Sequence, residues 1–324
     1  MPSPASPSDA TAAPGFSVRY PWPRPAGAES DPVWRDGAFY LEGQAPVRVL
    51  SYTTRESNWS AELTDLHEEA GGTQHPIDVA SRRLASESAR RMVDAVPAAA
   101  GRTPVIMDAG CSSGYEIDDL RRAAPRAAIF GSDFILPPLV GLGNRMPDLP
   151  LIQMDLRHCP LPSNSLDGVV SLNVLEHIDD DVKALGQIYR VLRPGALAHI
   201  EVPACPFLYD EYDRHLMHHR RYTRRDLLGK ARSQGFEVVS STHLGFFVFP
   251  GFAAVKGLGL WRGGNKAGAE AGKDASHVVE RDIRNTRDSV LVRWALGLEL
   301  AVGRIFSYPI GIRCVAVFRK PAAA

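Results

Sequence analysis

The order of apolar and polar positions predicts alternating strands and helices from about residue 104 onward. Seven short apolar runs have the length of buried strands: 105–107, 127–130, 151–154, 167–172, 198–202, 236–240 and 314–318. Helical segments are predicted between several of them, at 115–124, 180–192 and 223–235. This alternation is typical of a mostly parallel sheet that is covered on both faces by helices. We therefore predict an α/β fold with a seven-stranded sheet.

The chain is predicted to divide into a tail, an extension and one large domain. Residues 1–30 are rich in Pro, Ala and Ser, which indicates a flexible tail. Residues 31–100 contain aromatic residues and a helical periodicity from Ile77 to Val96, and we expect them to pack on the core. Residues 101–324 form the main domain, with a polar, aromatic lid insertion at 205–222 and a Gly-rich loop at 262–288.

Two apolar segments follow the lid insertion. The first, 244–261, has only 18 residues and contains Pro250 and Lys256, which argues against a transmembrane span. The second, 290–306, has helical spacing. Together they are expected to cover the core as helices. The alternative is an apolar wall for a lipid-like acceptor, which would allow peripheral membrane contact.

Composition narrows the classes of function. The 324 residues include 37 basic and 37 acidic side chains, so the chain lacks the basic excess of a nucleic-acid-binding protein. Its four cysteines form no C-x-x-C pair, so neither a zinc knuckle nor a disulfide scaffold is predicted. The first residues do not have the pattern of a signal peptide, and we expect a cytoplasmic protein.

The candidate chemistry begins at the turn after the first predicted strand. This turn runs from Asp108 through Gly110 to Gly114, and glycines there let the backbone approach a ligand closely. Asp133 ends the next strand, where a carboxylate can accept hydrogen bonds from ribose hydroxyls. Together these residues predict a site for a nucleoside-containing cofactor at the carboxyl edge of the sheet.

The spacing of the turn argues against two common nucleotide sites. A dinucleotide fingerprint requires G-x-G-x-x-G, but Ser112 and Tyr115 replace its second and third glycines. The chain also has no G-x-x-x-x-G-K-[ST] motif of a phosphate-binding loop. A nucleotide-linked oxidoreductase therefore remains only as an alternative.

A series of motifs follows in order between about residues 104 and 204. It starts with D-x-G-x-x-x-G at 108–114 and G-x-D at 131–133. It continues with the segments MDL at 154–156, NVLEHI at 173–178 and VLRPG at 191–195. This series resembles the class I S-adenosylmethionine-dependent methyltransferases. The segment HHRRYT at 218–223 extends the resemblance to a bacterial branch often placed near glycan or lipid biosynthesis.

The resemblance implies a Rossmann-like fold, S-adenosyl-L-methionine as cofactor and S-adenosyl-L-homocysteine as product. It implies that the amino-acid end of the cofactor is held at the turn by Asp108, Gly110, Cys111, Ser112 and Gly114. It further implies that Asp133 binds ribose and Phe134 lies against adenine. Asp155 would accept from the adenine amino group with Leu156 beside it, and Asn173 would line the pocket near the methionine portion.

The acceptor is expected to be a small molecule, a glycan or a lipid-linked compound that is methylated on oxygen. A general base would assist such a transfer, and His177, His218 and His219 are the candidates because histidine titrates near neutrality. We predict no metal, since His215, His218 and His219 match no known metal-site spacing. The remaining alternative is a catalytically silent protein that retains the fold.

Overall fold

One sheet of eight strands organises the part of the chain that the computed structural model describes, namely residues 16–53, 75–263 and 289–322. The strands, in their order across the sheet, are β3 (Val49–Ser51), β6 (Leu151–Gln153), β5 (Ala128–Asp133), β4 (Val105–Ala109), β7 (Leu166–Leu172), β8 (Leu192–Pro203), β10 (Arg313–Arg319) and β9 (Glu237–Leu244). A separate antiparallel pair consists of β1 (Val33–Arg35) and β2 (Ala38–Tyr40).

The predicted mostly parallel α/β architecture is confirmed. Strands β3, β6, β5, β4, β7 and β8 run parallel, whereas β10 pairs antiparallel with both β8 and β9. The chain builds outward from β4 to β5 and β6, and then returns to the other side of β4 with β7. This reversal places a crevice at the carboxyl ends of β4 and β7, where α/β sheets bind their ligands.

Helices connect the strands and cover the sheet. The described helices are α1 (Pro76–Asp94), α2 (Tyr115–Ala123), α3 (Leu136–Arg145), α4 (Asp181–Val191), α5 (Glu211–His215), α6 (Arg224–Ser233), α7 (Phe249–Gly263) and α8 (Val290–Val302). Helix α6 is capped by Thr223, whose side chain accepts a hydrogen bond from the Asp226 backbone N–H at 3.1 Å. Such a bond satisfies one of the amide groups that a helix start leaves unpaired.

The structure corrects the predicted strand count and adds an unpredicted helix. Within the described residues the sheet has eight strands because β3 pairs in parallel with β6, Val49 opposite Leu151. Helix α3 was not predicted from the sequence, and it contains prolines at 137 and 138. Both lie in the first turn of the helix, where proline is tolerated because the amide hydrogen is not needed there.

The predicted flexible tail over residues 1–30 is also corrected in its second half. Residues 1–15 lie outside the described residues, but the chain packs on the sheet from Phe16 onward. Tyr20 and Trp22 are 5% and 3% exposed, and the ring of Trp22 meets that of Phe130 edge-on at 5.1 Å. A few large aromatic rings therefore fix a segment whose average composition looks unstructured, because each ring buries a large apolar area.

The two apolar segments after the lid are helical. Helix α8 buries Leu296 and Glu299 against the sheet, but it exposes Val290, Leu291 and Trp294 on its other side. It therefore covers the core with one face only. Most of the predicted loop at 262–288 lies outside the described residues. No helix in the described part of the chain is long and apolar enough to cross a membrane.

Candidate active site

The turn between β4 and α2 is held against two neighbouring segments. The backbone N–H groups of Gly110 and Cys111 donate to the Ser132 carbonyl at 2.7 and 3.0 Å. Gly110 has a φ of +84°, and a Cβ added there would lie 2.2 Å from Cγ2 of Val174. The turn after β4 and the loop after β7 are thus in close contact, which brings two of the predicted site segments together.

We expect Gly110→Ala to lower stability and weaken cofactor binding. A left-handed backbone costs a residue with a Cβ about 1–2 kcal/mol, and the contact with Val174 adds to that cost. Urea unfolding at neutral pH measures the loss. The double variant Gly110→Ala/Val174→Ala should recover the steric part only. If the single variant unfolds at the same urea concentration as the wild type, the turn is not packed as described.

Asp108 lies beneath this turn as a buried carboxyl group. It is 2% exposed, and its Oδ2 atom has no hydrogen-bond partner among the described residues. Burial, and secondarily the charge of Asp133, raises the pKa of Asp108 to about 7. Glu116, in the first turn of α2, is also buried, and burial likewise raises its pKa well above the usual range. A buried hydrogen-bond acceptor without a partner, such as Oδ2 of Asp108, favours the binding of a cationic ligand group beside it.

Asp133 ends β5 beside the turn. One of its oxygens accepts from the backbone N–H of Ser112 and the other from that of Ile135, each at 2.9 Å. A carboxylate has about four acceptor positions, so these bonds leave capacity for hydroxyl donors. The side chain is half-buried at the edge of the sheet. Its position agrees with the predicted ribose contact, which stays a prediction.

The predicted adenine contacts are grouped after β5 and β6. Asp155 is held by Arg157, whose Nη2 lies 2.8 Å from Oδ2 and whose backbone N–H lies 2.9 Å from Oδ1. Leu156 is buried next to it, while Phe134 is half-buried and its carbonyl accepts from Gln153. The engagement of Asp155 with Arg157 was not foreseen. It means that an adenine amino group would share this carboxylate with a guanidinium.

Three residues without the freedom of glycine adopt left-handed backbone angles just beyond the ends of adjacent strands. They are Ser112 after β4, Asn173 after β7 and Cys205 after β8, with φ values of +45°, +54° and +65°. Such angles cost of order 1–3 kcal/mol each and tend to occur at functional sites. Their alignment along one edge marks this crevice as a strained part of the fold.

The candidate histidines are only partly brought together. The rings of His177 and His218 are in contact, with centroids 4.7 Å apart and planes at 75°. His219 is exposed, and its backbone N–H donates to the Glu176 carbonyl at 2.7 Å. His177 and His218 therefore form one group at the crevice, whereas the imidazole of His219 is turned toward solvent.

The lid insertion is organised by Asp213, a residue that the sequence reasoning did not assign to the site. Its carboxylate is fully buried and accepts from Nδ1 of His218 at 2.9 Å, from Nε of Arg221 at 2.7 Å and from Nζ of Lys256 at 3.0 Å. Burial alone would raise the pKa of Asp213, but these donors outweigh it and hold the pKa well below the usual range. The cluster ties the lid to helix α7.

The environment of the Asp213 cluster also determines the protonation state of His218. Burial lowers its pKa, and the positive charges of Arg221 and Lys256 add to this effect against the pull of Asp213. The ring is therefore neutral near pH 7. Because its Nδ1 is bonded to Asp213, its Nε2 is the ring nitrogen left for chemistry.

Comparisons with known proteins agree with this geometry. Residues 107–200 match a family described as a methyltransferase domain. Over 150 residues the chain is 31% identical to a probable S-adenosylmethionine-dependent methyltransferase of Mycolicibacterium smegmatis, covering 46% of this chain and 57% of the relative. Over 107 residues it is 31% identical to a demethylmenaquinone methyltransferase of Thermus thermophilus, covering 31% of this chain and 48% of that protein.

The fold has a counterpart among solved structures. A phosphoethanolamine N-methyltransferase of Haemonchus contortus, solved with S-adenosyl-L-methionine, superposes with a TM-score of 0.54 at 15% identity, over 87% of this chain and 62% of that one. The fold and crevice define a Rossmann-like α/β protein. Residues 107–200 carry a methyltransferase domain of the class I S-adenosylmethionine-dependent type. It spans less than two thirds of the length of the curated relatives named above.

Proposed function

We propose that the protein transfers a methyl group from S-adenosyl-L-methionine to an oxygen atom of a small-molecule, glycan or lipid-linked acceptor. The observation that carries the proposal is the partnerless Oδ2 of Asp108, buried beneath a turn whose glycine leaves no room for a side chain. A cofactor with a cationic amino-acid end satisfies this oxygen. The methyltransferase family match over the same segment supports the choice.

The residues at the crevice fit this cofactor. Asp108 and the turn from Gly110 to Gly114 would hold its amino-acid end, and Asp133 would accept from its ribose hydroxyls. Asn173 would line the methionine portion, since it follows β7 next to the turn. When bound, the cofactor supplies a methyl group already activated by a positively charged sulfur. The protein then has mainly to align the two reactants, which can provide ~7–11 kcal/mol of the barrier.

An oxygen acceptor is supported by the neutral, oriented imidazole of His218. A hydroxyl is a poor nucleophile until its proton is removed, and a base held at hydrogen-bond reach adds roughly 10²–10⁴-fold to such a reaction. The bond between Asp213 and Nδ1 of His218 fixes the ring and leaves Nε2 directed away from that carboxylate. His177 packs against this ring, so both imidazoles border the proposed acceptor position.

A lipid-linked acceptor is supported by the outer face of α8. Val290, Leu291 and Trp294 are each 65–75% exposed on the part of the fold that follows the lid. Exposed apolar groups of this size are typical of surfaces that contact lipid or another protein. Turnover with a radiolabelled methyl donor, tried separately on water-soluble and lipid-extracted acceptor pools, tests the proposal. Label transfer to neither pool by a protein that binds S-adenosylhomocysteine would contradict it.

Binding of S-adenosylhomocysteine should tighten as the pH rises. The free Asp108 carboxyl is half-protonated at about pH 7, and a cationic ligand binds its ionised form. Binding must therefore release a proton below pH 7, and affinity should increase up to ~10-fold per pH unit there before levelling off above pH 7. Calorimetric titrations between pH 6 and 8 measure this. Asp108→Asn should flatten the profile, and a flat wild-type profile would remove Asp108 from the site.

A further inference from the structure

Three side chains from two separate loops meet beside the crevice. Glu176 and His177 follow β7, and His218 belongs to the lid insertion. Each offers one possible ligand atom, and these three atoms all lie within 4.8 Å of one another. A carboxylate and two imidazoles form the ligand set of many catalytic metal sites, including zinc sites with two histidines and one glutamate.

Glu176 has no evident structural role for its carboxyl group. It is 0% exposed, and neither side-chain oxygen has a hydrogen-bond partner among the described residues. Buried polar groups are nearly always paired, and an unpaired buried carboxyl group is costly. Arg221 and Arg313 act on it only as distant charges, because their donors are bonded to other acceptors. Apart from the weak contact with its own backbone N–H, the carboxyl group is therefore aimed at a place where the described residues supply no donor.

His218 has the outer support that metal-binding histidines usually show. A ligating imidazole commonly donates its other N–H to a carboxylate, which fixes the ring and increases the basicity of the ligating nitrogen. Asp213 provides this contact at 2.9 Å from Nδ1. The carboxylate is itself fixed by Arg221 and Lys256, so the ring position does not depend on a mobile partner.

We propose that Glu176, His177 and His218 bind a divalent transition-metal ion of the zinc class. Two imidazole nitrogens favour such an ion over magnesium or calcium, which prefer oxygen ligands. Three protein ligands leave at least one open coordination position, as in catalytic zinc sites. This differs from the sequence-based prediction of no metal, which considered only the spacing within the lid insertion.

The inference rests on the proposed function for what the ion does. With the ion bound, Nε2 of His218 serves as a ligand and no longer as the base. An acceptor hydroxyl at the open position would instead lose its proton to solvent, because a bound cation lowers the pKa of a coordinated oxygen. Its oxygen then forms the new bond to the methyl carbon. The carbon–sulfur bond breaks with its electron pair staying on sulfur, which yields the methyl ether, S-adenosylhomocysteine and one released proton.

Equilibrium dialysis of the purified protein against Zn²⁺, followed by elemental analysis, tests the site directly. We expect the full chain to retain a single tightly bound ion and the Co²⁺-substituted protein to show the visible absorption of nitrogen-ligated cobalt. Glu176→Gln and His218→Asn should each lower affinity by more than the ~10–100-fold expected for Asp213→Asn, which weakens the contact that orients His218 and leaves all three ligand side chains in place. His158→Asn, an exposed histidine outside the cluster, is the matched control and should bind as the wild type does.

Different measurements would contradict the metal site and the proposed methyltransferase function. No retained zinc in the wild type, or equal retention by Glu176→Gln and the wild type, would overturn the metal site. Circular dichroism identifies any variant that does not fold, and His177→Gln, at a half-buried position, then takes its place. Titration of the same samples with S-adenosylhomocysteine reports separately on the proposed function, since its binding does not require the metal.

Discussion

Asp133→Ala should abolish most of the affinity for S-adenosylhomocysteine while the protein remains folded. Hydrogen bonds to a charged group are worth about 1.5–3 kcal/mol each, so losing one or both ribose contacts should weaken binding by ~10-fold to well over 100-fold. The substitution also removes the hydrogen bonds that the Asp133 carboxylate accepts from the backbone N–H groups of Ser112 and Ile135, and their loss loosens the turn. Calorimetry measures the affinity and circular dichroism the fold.

A ligand analogue separates the ribose contact from the effect on the turn. The wild type should bind an S-adenosylhomocysteine derivative that lacks both ribose hydroxyls more weakly than it binds S-adenosylhomocysteine. Asp133→Ala should lower the affinity for this derivative only slightly further. Asp148→Ala removes a carboxylate that forms a partly exposed ion pair with Arg121, and it serves as the charge-matched control. Wild-type affinity in Asp133→Ala would show that the carboxylate does not contact the cofactor.

Arg313→Met is expected to destabilise the protein by ~3–5 kcal/mol, the usual result of removing one partner from a buried ion pair. Nη1 of Arg313 donates to Glu201 at 2.8 Å and to Ser81 at 2.6 Å, while Nη2 reaches Asp78. Glu201 is fully buried, and the variant would leave its charge without a cation. The midpoint of urea unfolding at pH 7 measures the loss.

Two further measurements make this prediction specific. Burial raises the pKa of Glu201 above its usual value even with Arg313 present. Arg313→Met should raise the pKa of Glu201 further. The loss of stability in this variant should therefore become smaller as the pH falls and the Glu201 carboxyl group becomes neutral. Adding Glu201→Gln should recover part of the stability. Arg304→Met removes an exposed arginine near Glu87 and should cost less than about 1 kcal/mol. An equal deficit in both arginine variants would refute the buried-pair explanation.

The central part of the fold could be predicted from sequence because local patterns determine it. Apolar runs identified the strands from β4 to β8, and helical patterns identified α2, α4 and α6. The missed strand β3 has only three residues, and its partner β6 lies about a hundred positions further along the chain. A pattern that short carries no periodicity, so only the pairing itself reveals the strand.

The candidate site likewise has one part that the sequence could predict and one part that it could not. The turn from Asp108 to Gly114 and the position of Asp133 follow from motifs within one βαβ unit, and the sequence was sufficient to locate them. The contact of Glu176 and His177 with His218 joins two loops on either side of β8. Residue spacing within either loop does not predict this contact. The role of Asp213 depends likewise on which lid residues meet Lys256 of α7.

The position of β3, β9 and β10 at the two margins of the sheet has a consequence for dissecting the protein. All three strands lie outside residues 107–200, the segment that matches the methyltransferase domain family. A fragment trimmed to that segment would leave β6 and β8 with unpaired amide and carbonyl groups along their outer sides. Bare edges of this kind recruit strands from other molecules, so the trimmed piece would aggregate rather than behave as a minimal enzyme.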